Sequence, residues 1–133
     1  MKDDSDCIFC KIVKGEMKCD KVYEDKKILA FLDINYVNQG HTLIIPKEHH
    51  KMMVDVPDKL ISYMFVKAKE LIVKIKNVMG ADYVALSVIG TDVPHFHIHL
   101  VPRYFNDGMT NLWPTKKYGK RESELLARKI REN

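Results

Sequence analysis

The chain has 133 residues, 46% of them hydrophobic and 30% charged, with a formal net charge of +4; that is enough chain for one soluble domain with a single core. No apolar run approaches the ~20 residues that cross a bilayer, and the acidic opening MKDDSDCIFC lacks the basic and apolar halves of a signal peptide. The expectation is one domain over residues 1–133, in the cytoplasm and free of membrane. Lysines are spread among acids, as on a solvated surface, and their excess favours anionic ligands such as phosphates. No arginine-rich run or RNA-binding aromatic motif speaks for nucleic acid.

In chain order, CIFCKIV reads as a short helical turn that faces Ile8, Ile12 and two cysteines inward, and Gly15 ends it. KVYED and KILAFLDI read as two short strands about a charged turn at Glu24–Lys27. NYVNQG is a loop by composition, and HTLIIP a third strand closed by Pro46. From Asp58 the period becomes helical: Leu60, Ile61, Met64, Phe65, Ala68, Leu71, Ile72, Ile75 and Met79 form one apolar stripe. Asp58 is the expected N-cap and Gly80 the stop. YVALSVI and HFHIHLV are the fourth and fifth strands, joined by GTDVP. Residues 104–120 have little periodicity and hold the single tryptophan, Trp113, in a loop open to a functional or dimer-related role or to none. RESELLARKIREN closes the chain as a helix with a narrow apolar side of Leu125, Leu126 and Ile130. The sum is an α+β fold: a five-stranded antiparallel sheet with one long helix and a C-terminal helix.

The fifth strand carries the chemistry. Side chains alternate across a strand, so His95, His97 and His99 share one face while Phe96, Ile98 and Leu100 share the other. A lone strand histidine is usually a partly buried polar residue. Three on one face cost too much desolvation to be bystanders. Two uses fit: ligands for a catalytic metal, or a nucleophile, since imidazole is largely unprotonated at neutral pH and attacks phosphorus. Cys7, Cys10 and Cys19 are an odd set, which argues against a disulfide framework. The Cys7–Cys10 spacing suits a metal or a redox pair, and Cys19 reads as a bystander.

His-Phe-His-Ile-His-Leu-Val resembles the histidine-triad (HIT) motif in full, and CIFCKIVKGE, KVYED, ILAFLDI, GHTLIIPKEHH and PHFHIHLVPR resemble further segments of that family, in its order, from about Cys7 to Arg103. The resemblance implies a nucleotide-binding hydrolase acting at the α-phosphate. His97 would form a nucleotidyl-histidine that water resolves to a nucleoside monophosphate, as in a phosphoramidase, with an AMP-like purine nucleotide favoured. Cleavage of dinucleoside polyphosphates, or a nucleotide- and zinc-binding module with little turnover, are the alternatives it leaves. It further implies that His99 contacts phosphate, that Asp33 holds the ribose hydroxyls and that Ile34 lies beside the base. A structural zinc on Cys7, Cys10, His49 and His95, no organic cofactor, and a homodimer follow in the same way. His50 is the alternative to His49. The pattern departs before the triad: Ser87 falls where the family commonly has asparagine, and Thr91 and Asp92 where it has glutamine and a hydroxyl residue or glutamate. Thr91 can supply a hydroxyl, whereas Asp92 repels phosphate if it points inward. Arg103 is placed either at phosphate or on the surface.

Overall fold

The computed structural model describes residues 4–109 and 114–133. Trp113 and part of the loop singled out with it lie outside them. The elements run α1 (Ile8–Val13), β1 (Lys21–Glu24), β2 (Ile28–Leu32), β3 (Thr42–Pro46), a 3-10 turn (Met53–Asp55), α2 (Asp58–Met79), β4 (Tyr83–Ser87), β5 (Ile98–Arg103) and α3 (Glu122–Glu132). The strands form one sheet in the order β1-β2-β3-β5-β4, every neighbour antiparallel.

Both faces of the sheet are covered, so the central strands are apolar without alternation in burial. On one face α2 lays Met64, Ala68, Leu71 and Ile75 against Ile28, Ala30, Ile44, Ile98 and Leu100. On the other, α1 lays Phe9, Cys10 and Ile12 against Leu29, Phe31, Leu43 and Ile45. The long helix begins at Asp58 as expected, but Pro57 is its N-cap and Asp58 is its first helical residue. Proline has no side-chain acceptor, and no side-chain cap bond forms. Gly80 closes the helix at φ 61, in the left-handed conformation that glycine adopts without penalty.

The turn between β1 and β2 is fixed by Asp25, whose carboxylate accepts from the backbone N–H of Lys27 and Ile28 and from the hydroxyls of Tyr23 and Tyr63. Tyr63 belongs to α2, so one carboxylate ties the turn to the helix.

The fifth strand is shorter at its start than the sequence pattern implies, running from Ile98 to Arg103 instead of from His95. Its partner β3 ends at Pro46, and the residues before Ile98 bond elsewhere: His95 N–H to the Val93 carbonyl and Phe96 N–H to the His50 carbonyl. The facing pattern nevertheless survives, since Phe96, Ile98 and Leu100 all pack in the core under α2. Arg103, placed at the surface or at phosphate from the sequence, is buried: its Nε donates to Asp107 Oδ2 at 2.7 Å and Nη2 to the Met109 carbonyl at 2.9 Å. No described helix is long and apolar enough to cross a membrane. The apolar residues of α3 are exposed.

Candidate functional site

Two centres lie side by side on the α1 face. The first gathers Cys7, Cys10, His49 and His95, all buried. Cys7 is the N-cap of α1 and Cys10 sits one turn on, so the two sulfurs point the same way from one short helix. His49 follows the end of β3 and His95 precedes β5. His95 Nδ1 is 3.4 Å from Cys7 Sγ, 3.6 Å from Cys10 Sγ and 3.2 Å from His49 Nδ1, and Cys10 Sγ is 3.3 Å from His49 Nδ1. Zinc–sulfur bonds of about 2.3 Å and zinc–nitrogen bonds of about 2.0 Å at tetrahedral angles imply S···N near ~3.5 Å and N···N near ~3.3 Å. These four separations are those a tetrahedral ion would impose, and all four donors lie within 4.8 Å of one another, with no ligand position left over.

The protonation state agrees. Burial, opposed by the Pro46 carbonyl and assisted by the other histidines, lowers the pKa of His95 to about 4, so its ring is neutral at pH 7. Its Nε2–H donates to the Pro46 carbonyl at 2.8 Å, which leaves the Nδ1 lone pair for the cluster. His49 Nε2 has no hydrogen-bond partner among the described residues and lies 3.9 Å from Asp4 Oδ2. His50 is buried but outside the group, and its ring nitrogens likewise have no hydrogen-bond partner among the described residues.

The second centre is a groove of about 480 Å³ whose walls include Asp33, Ile34, Ser87, Asp92, His97 and His99. Thr91 is not among its lining residues. Strand register explains part of the gathering: Ser87 pairs with His99 across β4–β5, and Leu43 pairs with His99 across β3–β5. Asp33 follows β2, and its N–H donates to the His41 carbonyl at 2.9 Å. Ile12 and Met17 extend the apolar wall beside Ile34. Cys19, read as a bystander, also lines this groove.

His97 is 4% exposed and its tautomer is set by the backbone. Nδ1 lies 2.7 Å from the His95 carbonyl, which can only accept, so Nδ1 carries the proton and Nε2 keeps a lone pair. The Phe9 ring packs against it near-perpendicular, at a centroid distance of 5.2 Å.

The sequence pattern did not single out His41, yet this residue completes the groove. The Val37 N–H donates to His41 Nδ1 at 3.1 Å, so Nε2 is the protonated nitrogen in the neutral ring. That Nε2–H donates to His99 Nδ1 at 2.9 Å, with Asp33 Oδ2 3.6 Å away. His99 must then carry its own proton on Nε2. Asp33, His41 and His99 are close enough together for a cation, but His41 Nε2 would first have to lose its proton to an Nδ1 that already faces an N–H. The chain of donors explains the cluster better than a metal does. Burial lowers the pKa of His41, opposed by Asp33; burial, with His97 and His41, lowers that of His99, opposed by Asp33 and Asp92. The parity of HTLIIP was the available signal: His41 shares a face with Leu43, the residue opposite His99.

The profile of the HIT domain family matches residues 14–106. An uncharacterized HIT-like protein of Methanocaldococcus jannaschii is 42% identical over 107 residues, 77% of this chain and 82% of the relative. The adenosine 5'-monophosphoramidase of Saccharomyces cerevisiae is 38% identical over 135 aligned residues, 94% of this chain and 84% of the relative. Among solved structures, a HIT family protein of Bacillus anthracis superposes with a TM-score of 0.83 at 36% identity, covering 98% of both chains. A zinc-bound histidine triad family protein of Mycobacterium smegmatis superposes with a TM-score of 0.73 at 27% identity, covering 96% of this chain and 97% of the other.

Proposed function

Because the chain belongs to the HIT family, we propose that it is a nucleotide hydrolase, phosphoramidase-like, that works through a nucleotidyl-histidine at His97. The observation that carries this reading is the hydrogen bond from His97 Nδ1–H to the His95 carbonyl at 2.7 Å, which leaves Nε2 free to attack. The Nε2 lone pair forms a bond to the α-phosphorus, and the bond to the leaving group breaks with its electron pair, which takes a proton from water. A second water then attacks phosphorus and gives its proton to the hydroxide left by the first, while the phosphorus–nitrogen bond breaks, returns the pair to Nε2 and releases the nucleoside monophosphate. His99, held with Nε2 protonated by His41, donates to a phosphate oxygen, and Ser87 offers a hydroxyl beside it.

In this reading Asp33 accepts the ribose hydroxyls and Ile34, with Ile12 and Met17, flanks the base of an AMP-like purine nucleotide. Cys7, Cys10, His49 and His95 would hold a zinc ion, which would tie α1 to the ends of β3 and β5; the donor separations and the zinc-bound relative support this. The proposal covers a single domain over residues 1–133 in a reducing, cytoplasmic setting where Cys7 and Cys10 stay reduced and able to bind the ion. It includes a homodimer, for which the exposed Val66 and Val73, seven residues apart on α2, offer a surface.

The test is to incubate the protein with adenosine 5'-phosphoramidate and trap the intermediate. An adenylylated peptide containing His97, absent in His97→Ala, supports the reading, with AMP as the product. Tight AMP binding with neither adduct nor turnover would replace it with a binding module, a second reading that Asp92 in the groove favours because a carboxylate opposes phosphate.

A further inference from the structure

On the nucleotidyl-transfer reading the groove has a direction. Ile12, Met17 and Ile34 wall the base end, and His97 and His99 mark the phosphate. Ser87, the last residue of β4, and Asp92, within the connection from β4 to β5, also line the groove. A nucleoside monophosphate uses the histidines and everything on the base side. What comes next along the substrate is the group that departs, and it meets the connection that carries Asp92.

The Asp92 carboxylate is exposed, and neither a hydrogen bond nor an ion pair engages it among the described residues. Arg103, the cation nearest in the sequence, is committed to Asp107. Asp92 does act electrostatically on the ring of His99. A negative charge with no partner there among the described residues is held by water until a ligand brings a charge of its own beside it. It attracts a departing group that is positive and repels one that is negative, at the distances where partly screened charges still act.

We propose that Asp92 selects the leaving group by charge, so that the chain turns over nucleotidyl phosphoramidates whose departing amine carries a positive charge and discriminates against phosphate- or carboxylate-bearing leaving groups. The inference rests on the reading of His97 as nucleophile. In the step concerned the phosphorus–nitrogen bond breaks, its electron pair stays on the amine nitrogen, and that nitrogen takes a proton from water. The charge that Asp92 recognises lies elsewhere on the amine and is not created or destroyed in the reaction. Dinucleoside polyphosphates, whose departing group is a polyanion, are then poor substrates.

The experiment uses three adenosine 5'-phosphoramidates, made from 2-(trimethylammonio)ethylamine, ethanolamine and β-alanine, with the wild type, Asp92→Asn and Asp92→Lys. Intrinsic reactivity cancels in the ratio of variant to wild-type kcat/KM for each substrate. Removing one charge lowers kcat/KM for the cationic substrate about threefold and raises it for the anionic one about threefold, a change of about tenfold in preference. Asp92→Lys moves the preference further in the same direction, and added salt shrinks the wild-type preference. The same cation-to-anion ratio in wild type and Asp92→Asn, or a wild-type ratio that salt does not move, would overturn the assignment while leaving His97 in place. Turnover of none of the three by the wild type would overturn the nucleotidyl-transfer reading and this inference with it.

Discussion

Removing zinc should unfold the protein at a markedly lower temperature, and the size of the drop can be worked out. Four of the donor pairs already stand 3.2 to 3.6 Å apart, so little rearrangement opposes binding, and the ion favours the folded state as far as the unfolded chain's scattered thiols and imidazoles bind it more weakly. At free zinc a thousandfold above Kd, such a ligand stabilises the fold by about 4 kcal/mol. Unfolding entropy near ~2.1 cal/mol/K per residue over 133 residues comes to about 0.28 kcal/mol/K. The expected drop in Tm is therefore about 15 °C on chelation, with recovery when zinc is restored. Differential scanning calorimetry with and without a chelator, paired with metal analysis, measures it. Cys7→Ser should show the low Tm at once and bind less zinc. A Tm indifferent to chelator, or an unchanged zinc content in Cys7→Ser, would refute the reasoning.

His41→Ala leaves the half-buried His99 Nδ1 without its donor; at about 1 kcal/mol, the low end for such a loss, kcat/KM should fall about fivefold, and nitrogen-15 NMR of the wild type should find the His41 proton on Nε2. The pKa values of His41 and His99 are lowered chiefly by burial, so both are neutral at pH 7 and protonate below the ordinary imidazole range. A nitrogen-15 NMR pH titration should thus find both rings neutral at pH 7 and protonating only below the ordinary imidazole range. Burial raises the pKa of Asp25, but the hydrogen bonds from Tyr63, the Ile28 and Lys27 N–H groups and Tyr23 outweigh it and hold the carboxyl well below its usual range. A depressed folded pKa gives stability that is full above the unfolded value near ~3.9 and is lost as pH falls through the folded one. Urea titrations from pH 7 to pH 2 should therefore show a steep acid limb that Asp25→Asn flattens.

Elements set by local pattern were legible in the sequence. The apolar stripe of α2 and the β-branched HTLIIP give their positions directly, because period and propensity are carried within the segment. The start of β5 was not, because it depends on where another strand ends: Pro46 closes β3, and His95 turns its ring nitrogen to that same proline's carbonyl. The alternation still told which histidines share a face, since side-chain parity outlasts the ladder. His41 was missed for a related reason. Its parity is readable, but its contact with His99 depends on the register of two strands that lie more than fifty residues apart in the chain. Arg103 was misplaced because its partner, Asp107, sits four residues on in a segment with no periodicity to announce a packed turn.

His95 does two jobs with different parts of itself. Its ring stands among the thiols, while its main-chain carbonyl fixes the proton on His97. A substitution at position 95 can delete the first part but not the second, because every amino acid brings a carbonyl. The two centres are thus separable by mutation even though they meet in one residue. A lineage could shed the cysteines and the His95 ring one after another, paying only in thermal stability, and still inherit an imidazole at position 97 with its tautomer fixed.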